Sequence, residues 1–409
     1  MAYTGIPKNL TRVLSLVLQP HITIDYSYYI MFSFLNQVLT IKQIKMVFLL
    51  KKQHKHAIIN KTLWIDFIMK FINGCITLNR VCNLRCKWCY AKDTGYHTQD
   101  TMPLKVAKDI VDLCKGLKFR HLKLIGGEPT LYPYLFDLIA YTNSKQIKAG
   151  FLTNGIMLND RYYTRELINH GIKHISISLK GCNPQSFKNT TGMDAYEKVI
   201  TGIENCLSLD ASVVVFIVLS NENISDLLDC VKSLYRIDVG KFRFTFVYNF
   251  DTTPGYKEYI KKTQPRRLIE TFKSIYGEID CITNHQIGIF PTYPACFWGI
   301  DFIQMLSSKN QLVRGCTLKD RTDLIFDCQG NLIPCSAMYQ IKFGKLYEDF
   351  STSDELSEYC NSNFVTATYD KHYVTPCKKC STCMYSSLCD CCSCQWTNYS
   401  FKQLMLSKK

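Results

Sequence analysis

Three cysteines carry the most chemical information in this chain. Cys82-Asn-Leu-Arg-Cys86-Lys-Trp-Cys89-Tyr90 is a CxxxCxxC run with no fourth Cys close by. Iron–sulfur cubanes are usually held by four Cys, so three thiolates leave one iron open to a substrate or cofactor. Zinc sites favour paired CxxC knuckles, which this run does not form. Structural thiols or a zinc loop are the competing readings. Gly126-Gly127-Glu128-Pro129-Thr130 is a second candidate. Its two Gly allow close backbone approach to a ligand, and Glu128 adds an anion beside exposed amides. An ordinary strand-to-helix turn would use the same residues.

Two weaker signals follow. Thr153-Asn154-Gly155 reads as a turn, and Asn-Gly is common in turns. In Ile175-Ser-Ile-Ser-Leu-Lys-Gly181, alternation places Ser176, Ser178 and Lys180 on one face. Polar side chains on a buried strand need partners, and a solvated strand end is the alternative. Asn221 and Asn223 are similar, weaker candidates.

The elements that must position these residues alternate. Strand-like runs are expected at 71–78, 121–125, 148–153, 173–179, 212–219 and 241–247, rich in β-branched and aromatic residues. Helical periods lie between them at 104–115, 134–144, 161–170, 196–207 and 224–235, with another at 266–276 after the last strand. Six β/α units of this kind imply a parallel sheet with right-handed crossovers. The CxxxCxxC run then follows the first strand, where α/β barrels place their chemistry. The fold class expected is α/β, a partial (βα)6 TIM-like barrel with a small Cys-rich C-terminal domain. Pro291-Thr-Tyr-Pro294 breaks the alternation. The expected organisation is an N-terminal extension at 1–70, a barrel at 71–290 and a Cys-rich domain at 291–409.

The Cys run resembles the cluster motif of the radical S-adenosylmethionine (radical SAM) superfamily, with Trp88 at the aromatic position before the third Cys and Tyr90 after it. The resemblance covers about residues 71–280. It implies a [4Fe-4S] cluster on Cys82, Cys86 and Cys89 that binds S-adenosylmethionine. It further implies that Gly126, Gly127 and Glu128 hold the amino group of S-adenosylmethionine. Asn154 lies in a turn common in the superfamily. Ser178 and Lys180 lie on the strand that contacts the ribose and carboxylate in relatives. Reductive cleavage would yield methionine and a 5′-deoxyadenosyl radical, which abstracts hydrogen from the substrate.

The C-terminal region is similar to the auxiliary-cluster domain called SPASM, or its shorter form, twitch. Cys316 followed by Gly330-Asn-Leu-Ile-Pro-Cys335 resembles its opening, and Cys380, Cys383 and Cys389 match CxxCx5C. The pattern then departs: the next expected Cys is Ser393, flanked by Cys391, Cys392 and Cys394. The ligand candidates are Cys316, Cys335, Cys380, Cys383, Cys389, Cys392 and Cys394, for one or two auxiliary [4Fe-4S] clusters. Cys377 is a further upstream thiol, and Cys296 or Cys328 are further candidates for recruitment. A zinc ribbon is the alternative. Cys75, Cys114, Cys182, Cys206, Cys230, Cys281 and Cys360 read as core or surface thiols.

Composition bounds the partners. The chain has 409 residues and 21 Cys. Secreted disulfide scaffolds are usually short, so long α/β character with metal-like spacings points to a reducing cytosol. Of the net charge of +15, residues 1–70 contribute +7. The remainder is largely offset once ligating thiolates are counted. The basic residues do not form one strip interleaved with aromatics, so nucleic acid is not favoured. No apolar stretch reaches about 18 residues, so no spanning helix is expected. Residues 1–70 match no motif, and Met46 or Met69 is an alternative start.

The expectation is therefore a radical SAM enzyme acting on a peptide, served by an external electron donor of the flavodoxin or ferredoxin type. Tyr248, Tyr256, Tyr259 and Tyr293 are candidates to line a peptide channel, with core packing as the alternative. Competing functions are a sulfatase-maturating (formylglycine-forming) enzyme, a small-molecule radical SAM enzyme and, more distantly, a non-enzymatic metal-binding protein. The catalytic residue acting on substrate is not legible.

Overall fold

The structure is a computed structural model, and it describes residues 71–89, 91, 97–247, 263–313, 316–372, 380 and 382–384. Parallel strands alternate with helices: β1 (Asn73–Thr77), α1 (Leu104–Gly116), β2 (His121–Ile125), α2 (Leu135–Ser144), β3 (Lys148–Thr153), α3 (Arg161–Asn169) and β4 (His174–Leu179). Then come α4 (Pro184–Thr191), α5 (Tyr196–Ser208), β5 (Ser212–Leu219), α6 (Leu227–Arg236), β6 (Phe242–Phe246), α7 (Pro265–Ile282) and β7 (Ile287–Phe290). Each expected strand and helix lies in place, with ends shifted by a residue or two, except that α6 opens with a 3-10 turn and α7 runs on to Ile282. The fold is the expected partial barrel.

Within residues 71–290, two features were not read from sequence. The parallel series continues into β7, which pairs with β6. A short helix, α4, also fits between β4 and α5. It is started by an Asn183–Ser186 capping box with Pro184 in the first turn, and ended by Gly192 at φ 72°.

The chain continues through α8 (Ala295–Trp298), α9 (Ile300–Ser308), α10 (Thr317–Asp320), β8 (Asp323–Phe326), β9 (Asn331–Ile333), β10 (Gly344–Lys345), α11 (Ser353–Cys360) and α12 (Asn363–His372). β8 pairs in parallel with β1, and β9 and β10 follow antiparallel. Among the described residues the sheet order is β10-β9-β8-β1-β2-β3-β4-β5-β6-β7, an open sheet whose two edges are β10 and β7. Strands from the Cys-rich segment thus extend the barrel sheet next to β1.

The two faces of this sheet differ. In β5 burial alternates strictly, with Val213, Val215, Ile217 and Leu219 on the buried face. In β6, Phe242, Phe244 and Phe246 are fully buried, and the last two pack on Phe272 of α7. That is the helix-covered face. Ser178, Phe216, Arg243 and Thr245 stand on the other, concave face, which forms the lumen.

Candidate functional site

The chain leaving the C-terminal end of β1 is pinned at its base to the chain that enters α1. Met102 N–H donates to the Leu78 carbonyl (2.8 Å) and Arg80 N–H to the Asp100 carbonyl (2.7 Å). The three cysteines of the CxxxCxxC run sit on the loop between them. Arg85 and Lys87 donate backbone N–H groups to the carbonyls of Thr191 (2.9 Å) and Thr190 (3.0 Å), at the end of α4. Trp88 and Leu84 are buried, which anchors the tip, while Cys82, Cys86 and Cys89 remain half-buried. Tyr90 lies outside the described residues.

The three thiols share one electrostatic neighbourhood. Burial pushes Cys86 up to about 12, with Cys89 and Cys82 raising it and Lys180 lowering it. Burial also raises Cys82, which the Leu84 N–H opposes; Glu128 and Cys89 raise it further, and Lys180 lowers it. Lys180 and Glu128, from the ends of β4 and β2, therefore lie within reach of the loop that carries the three cysteines. Lys180 Nζ donates to Ser178 Oγ (2.6 Å).

Among the described residues no three His, Cys, Asp or Glu side chains converge closely enough to hold a single metal ion. A cubane gives each thiolate its own iron, so its sulfurs stand apart. Three soft donors on one half-exposed loop fit that group, and binding it would displace their protons.

The Gly-Gly-Glu segment braces this loop. A Cβ on Gly127 would lie 2.4 Å from the Val81 carbonyl oxygen, and one on Gly126 would lie 2.6 Å from Asn79 Oδ1. The close approach that these glycines permit is to the chain leaving β1. Gly127 and Glu128 N–H groups donate to the carbonyls of Asn79 (2.8 Å) and Val81 (2.7 Å). The Glu128 side chain is buried, 1% exposed. Its Oε1 accepts from Thr130 N–H (3.1 Å), Thr130 Oγ1 (2.6 Å) and Thr153 Oγ1 (2.6 Å), and its Oε2 accepts from Asn154 N–H (2.7 Å). Burial raises its pKa from the ordinary value, and these hydrogen bonds oppose the rise. Asn154 Nδ2 reaches back to Asn83 Oδ1 (2.6 Å) on the cysteine loop. Asn79, Asn83, Thr130 and Thr153 are thus brace residues to which sequence reading gave no role, although all but Asn79 lie inside the motifs it singled out. Asn223 is buried and bonds locally, to Ser220 N–H (2.9 Å) and the Val218 carbonyl (2.8 Å).

The C-terminal thiols are less gathered. Cys316 and Cys335 are half-buried and pack against the main core. Cys335 lies in electrostatic reach of Cys75 on β1, whose thiol burial pushes up to about 12. Tyr339, buried after Cys335, carries the Arg80 guanidinium 4.3 Å from its ring centroid. The Cys-rich segment therefore touches the root of the cysteine loop. Cys380 and Cys383 share a turn, Cys383 N–H donating to the Cys380 carbonyl (3.3 Å). Cys377, Cys389, Cys391, Cys392 and Cys394 lie outside the described residues, as do Tyr248, Tyr256 and Tyr259. Cys296 is exposed and Cys328 buried. Tyr293 is buried and donates to the Val247 carbonyl, a packing role.

Residues 76–234 match the profile described as "Radical SAM superfamily". A GTP 3′,8-cyclase of Clostridium perfringens (strain SM101 / Type A) is 32% identical over 166 residues, covering 39% of this chain and 51% of the relative. A probable GTP 3′,8-cyclase of Thermococcus kodakarensis is 27% identical over 132 residues, covering 32% and 42%. The chain thus spans about half the length of the curated relatives it matches. Among solved structures, Streptococcus suis SuiB bound to precursor peptide SuiA aligns with TM-score 0.61 at 17% identity, covering 88% of this chain and 83% of SuiB. Native anSMEcpe with bound AdoMet aligns with TM-score 0.58 at 15% identity, covering 82% of this chain and 98% of its own. At such identities these likenesses concern the fold.

Proposed function

We infer that this chain, which carries a radical SAM domain, is an enzyme that cleaves S-adenosylmethionine reductively and takes a hydrogen atom from a peptide. The observation carrying the chemistry is one juxtaposition. Three thiols on a pinned loop have an anion, Glu128, and a cation, Lys180, within electrostatic reach. That charge pair suits the ammonium and carboxylate of an amino-acid cofactor.

Cys82, Cys86 and Cys89 would hold a [4Fe-4S] cluster. The cluster and S-adenosylmethionine, when bound, supply a 5′-deoxyadenosyl radical by reductive cleavage of a carbon–sulfur bond. The protein's work is binding, orientation and exclusion of water. Glu128 Oε2, with a single described donor, keeps acceptor capacity for an ammonium group. Lys180 and Ser178 offer donors for a carboxylate or ribose hydroxyl, and Asn154 fixes the β3 turn against the cluster loop. The buried Trp88 holds the loop tip.

We assign residues 291–409 to a SPASM- or twitch-like domain bearing one or two auxiliary clusters on the C-terminal cysteines. The peptide assignment is supported by the likeness to SuiB, which extends well beyond the barrel. An electron donor of flavodoxin or ferredoxin type would serve the enzyme in the cytoplasm; among the described residues no helix is long and apolar enough to cross a membrane. The sequence identity to GTP 3′,8-cyclases favours a second reading, a small-molecule substrate. Anaerobic incubation of the reconstituted enzyme with candidate peptides and with GTP separates the two: a peptide mass change supports the first, and GTP consumption the second.

A further inference from the structure

Arg243 is the second residue of β6, one strand in from the β7 edge of the sheet, and its stem lies over Gly288 of β7. It lies on β6 between Phe242 and Phe244, whose rings face the helices, so its own side chain takes the concave face. Register joins it to the cofactor side: Arg243 pairs with Phe216 on β5, and Phe216 pairs with Ser178 on β4. Arg243 is therefore two strands from Ser178, about 10 Å by ordinary strand spacing.

Three observations distinguish this residue. First, its guanidinium forms no ion pair among the described residues; its hydrogen bond there is to the Phe242 carbonyl (2.9 Å). Burial lowers its pKa from the ordinary value, and among the described residues no charged neighbour contributes. By contrast Lys123 is held by Asp323 (2.6 Å), and Lys148 stands at the far, N-terminal end of β3. Second, space is made for it. A Cβ on its β7 partner Gly288 would lie 2.6 Å from Arg243 Cδ. Third, an apolar pair lies on the same face: Phe216, its β5 partner, and Phe290, the β7 partner of Thr245, have ring centroids 5.8 Å apart. A half-desolvated cation beside an apolar wall is costly unless a counter-anion arrives.

We propose that Arg243 anchors an anionic group of the substrate, carboxylate or phosphate, with the apolar or planar body of that substrate against Phe216 and Phe290. The guanidinium fork suits either anion. The inference rests on the reading that the lumen receives the substrate, and it does not depend on whether that substrate is a peptide or a nucleotide. Lys180 already supplies a cation beside the cluster thiols, so Arg243 is free for the second ligand.

The test is equilibrium binding to the reconstituted holoenzyme with S-adenosylmethionine bound, under anaerobic conditions. Two probes are used: GTP, and an acetylated, amidated tripeptide Phe-Glu-Phe. Wild-type protein should bind one of them, GTP assigning a phosphate and the tripeptide a carboxylate. Arg243→Gln should weaken that binding by about tenfold or more, as loss of a charge-assisted pair would. Arg243→Lys should restore part of it, since charge returns without the fork. Gly288→Ala, which keeps the guanidinium but crowds its stem, should also weaken it. The proposal is overturned if wild-type protein binds neither probe, or if Arg243→Gln binds them as wild type does. It is also overturned if Arg243→Gln weakens S-adenosylmethionine to the same degree, which would place Arg243 on the cofactor carboxylate. Formation of 5′-deoxyadenosine by wild-type protein reports separately on the radical chemistry.

Discussion

The two thiol regions of this molecule are built in opposite ways. Cys82, Cys86 and Cys89 share one loop, pinned at its base and tied by backbone hydrogen bonds to α4 and to the Gly-Gly-Glu segment. Cys316 and Cys335 stand on either side of α10, β8 and β9, and the pairing of β8 with β1 carries Cys335 to the barrel. The first region gathers its donors by local chain geometry. The second would have to gather them by tertiary closure, so any ligand set there would depend on β8 joining β1. This difference suggests separable roles: the loop generates the radical, and the C-terminal segment serves the substrate.

The largest expected effect comes from the loop. With all clusters loaded, reconstituted protein should hold about eight to twelve irons, reckoned at four per cubane. Replacing Cys82, Cys86 and Cys89 together with Ala should remove about four and leave the rest. Iron analysis and electronic spectra check this. Zinc with negligible iron after anaerobic preparation would reject clusters in both regions.

Next is Cys316→Ala with Cys335→Ala. If the regions divide their labour as proposed, 5′-deoxyadenosine should still form while conversion of the substrate is lost. Both can be read from one reaction, by chromatography and by substrate mass. Unimpaired product formation would show that these thiols are structural.

Glu128→Ala should be intermediate. The account predicts weaker S-adenosylmethionine binding by about 1.5–3 kcal/mol, the scale of a charge-assisted hydrogen bond. Iron content should not change. The same variant strands the Thr153 hydroxyl and the Asn154 N–H, so its melting temperature should also fall. Wild-type cofactor affinity in a destabilised variant would reduce Glu128 to its brace role.

The smallest effect lies far from both thiol regions. Asp280 at the end of α7 is buried and accepts from Lys309 Nζ (2.7 Å) and Gln311 Nε2 (2.5 Å), with His285 Nδ1 at 3.0 Å. Burial pushes its pKa up, but these partners outweigh burial and leave it below the ordinary value of 3.8. A depressed acid contributes stability above its unfolded pKa and loses it as pH falls through the folded one. Asp280→Ala should cost about 1–3 kcal/mol near neutrality, because buried Gln311 loses its partner. That deficit should shrink as pH drops below about 3.8. A deficit independent of pH would contradict the assignment.

How much could be read in advance follows the same division. The strands were legible because β-branched and aromatic runs alternate with amphipathic helices; Ser212–Leu219 was placed to the residue. The CxxxCxxC run was legible as a motif because its spacing is local. β8 carried no cue that it would join β1, since strand pairing is non-local. Helix α4 is short, and its capping chemistry at Asn183 and Pro184 went unread. The Glu128 brace was hidden for another reason: its partners Thr153 and Asn154 come from the next strand, and their hydroxyl and amide read equally well as turn residues. Arg243 gave no signal either, since one cation in a strand is ordinary until the register shows what lies beside it.

The central claim is that the loop of Cys82, Cys86 and Cys89 supports radical generation from S-adenosylmethionine. It is tested most directly by incubating anaerobically reconstituted wild-type protein with S-adenosylmethionine and a strong one-electron reductant, and measuring 5′-deoxyadenosine and methionine. The account predicts both products in equal amounts, and neither from the protein with all three cysteines changed to Ala. Intact S-adenosylmethionine after incubation with the iron-loaded wild type would contradict it.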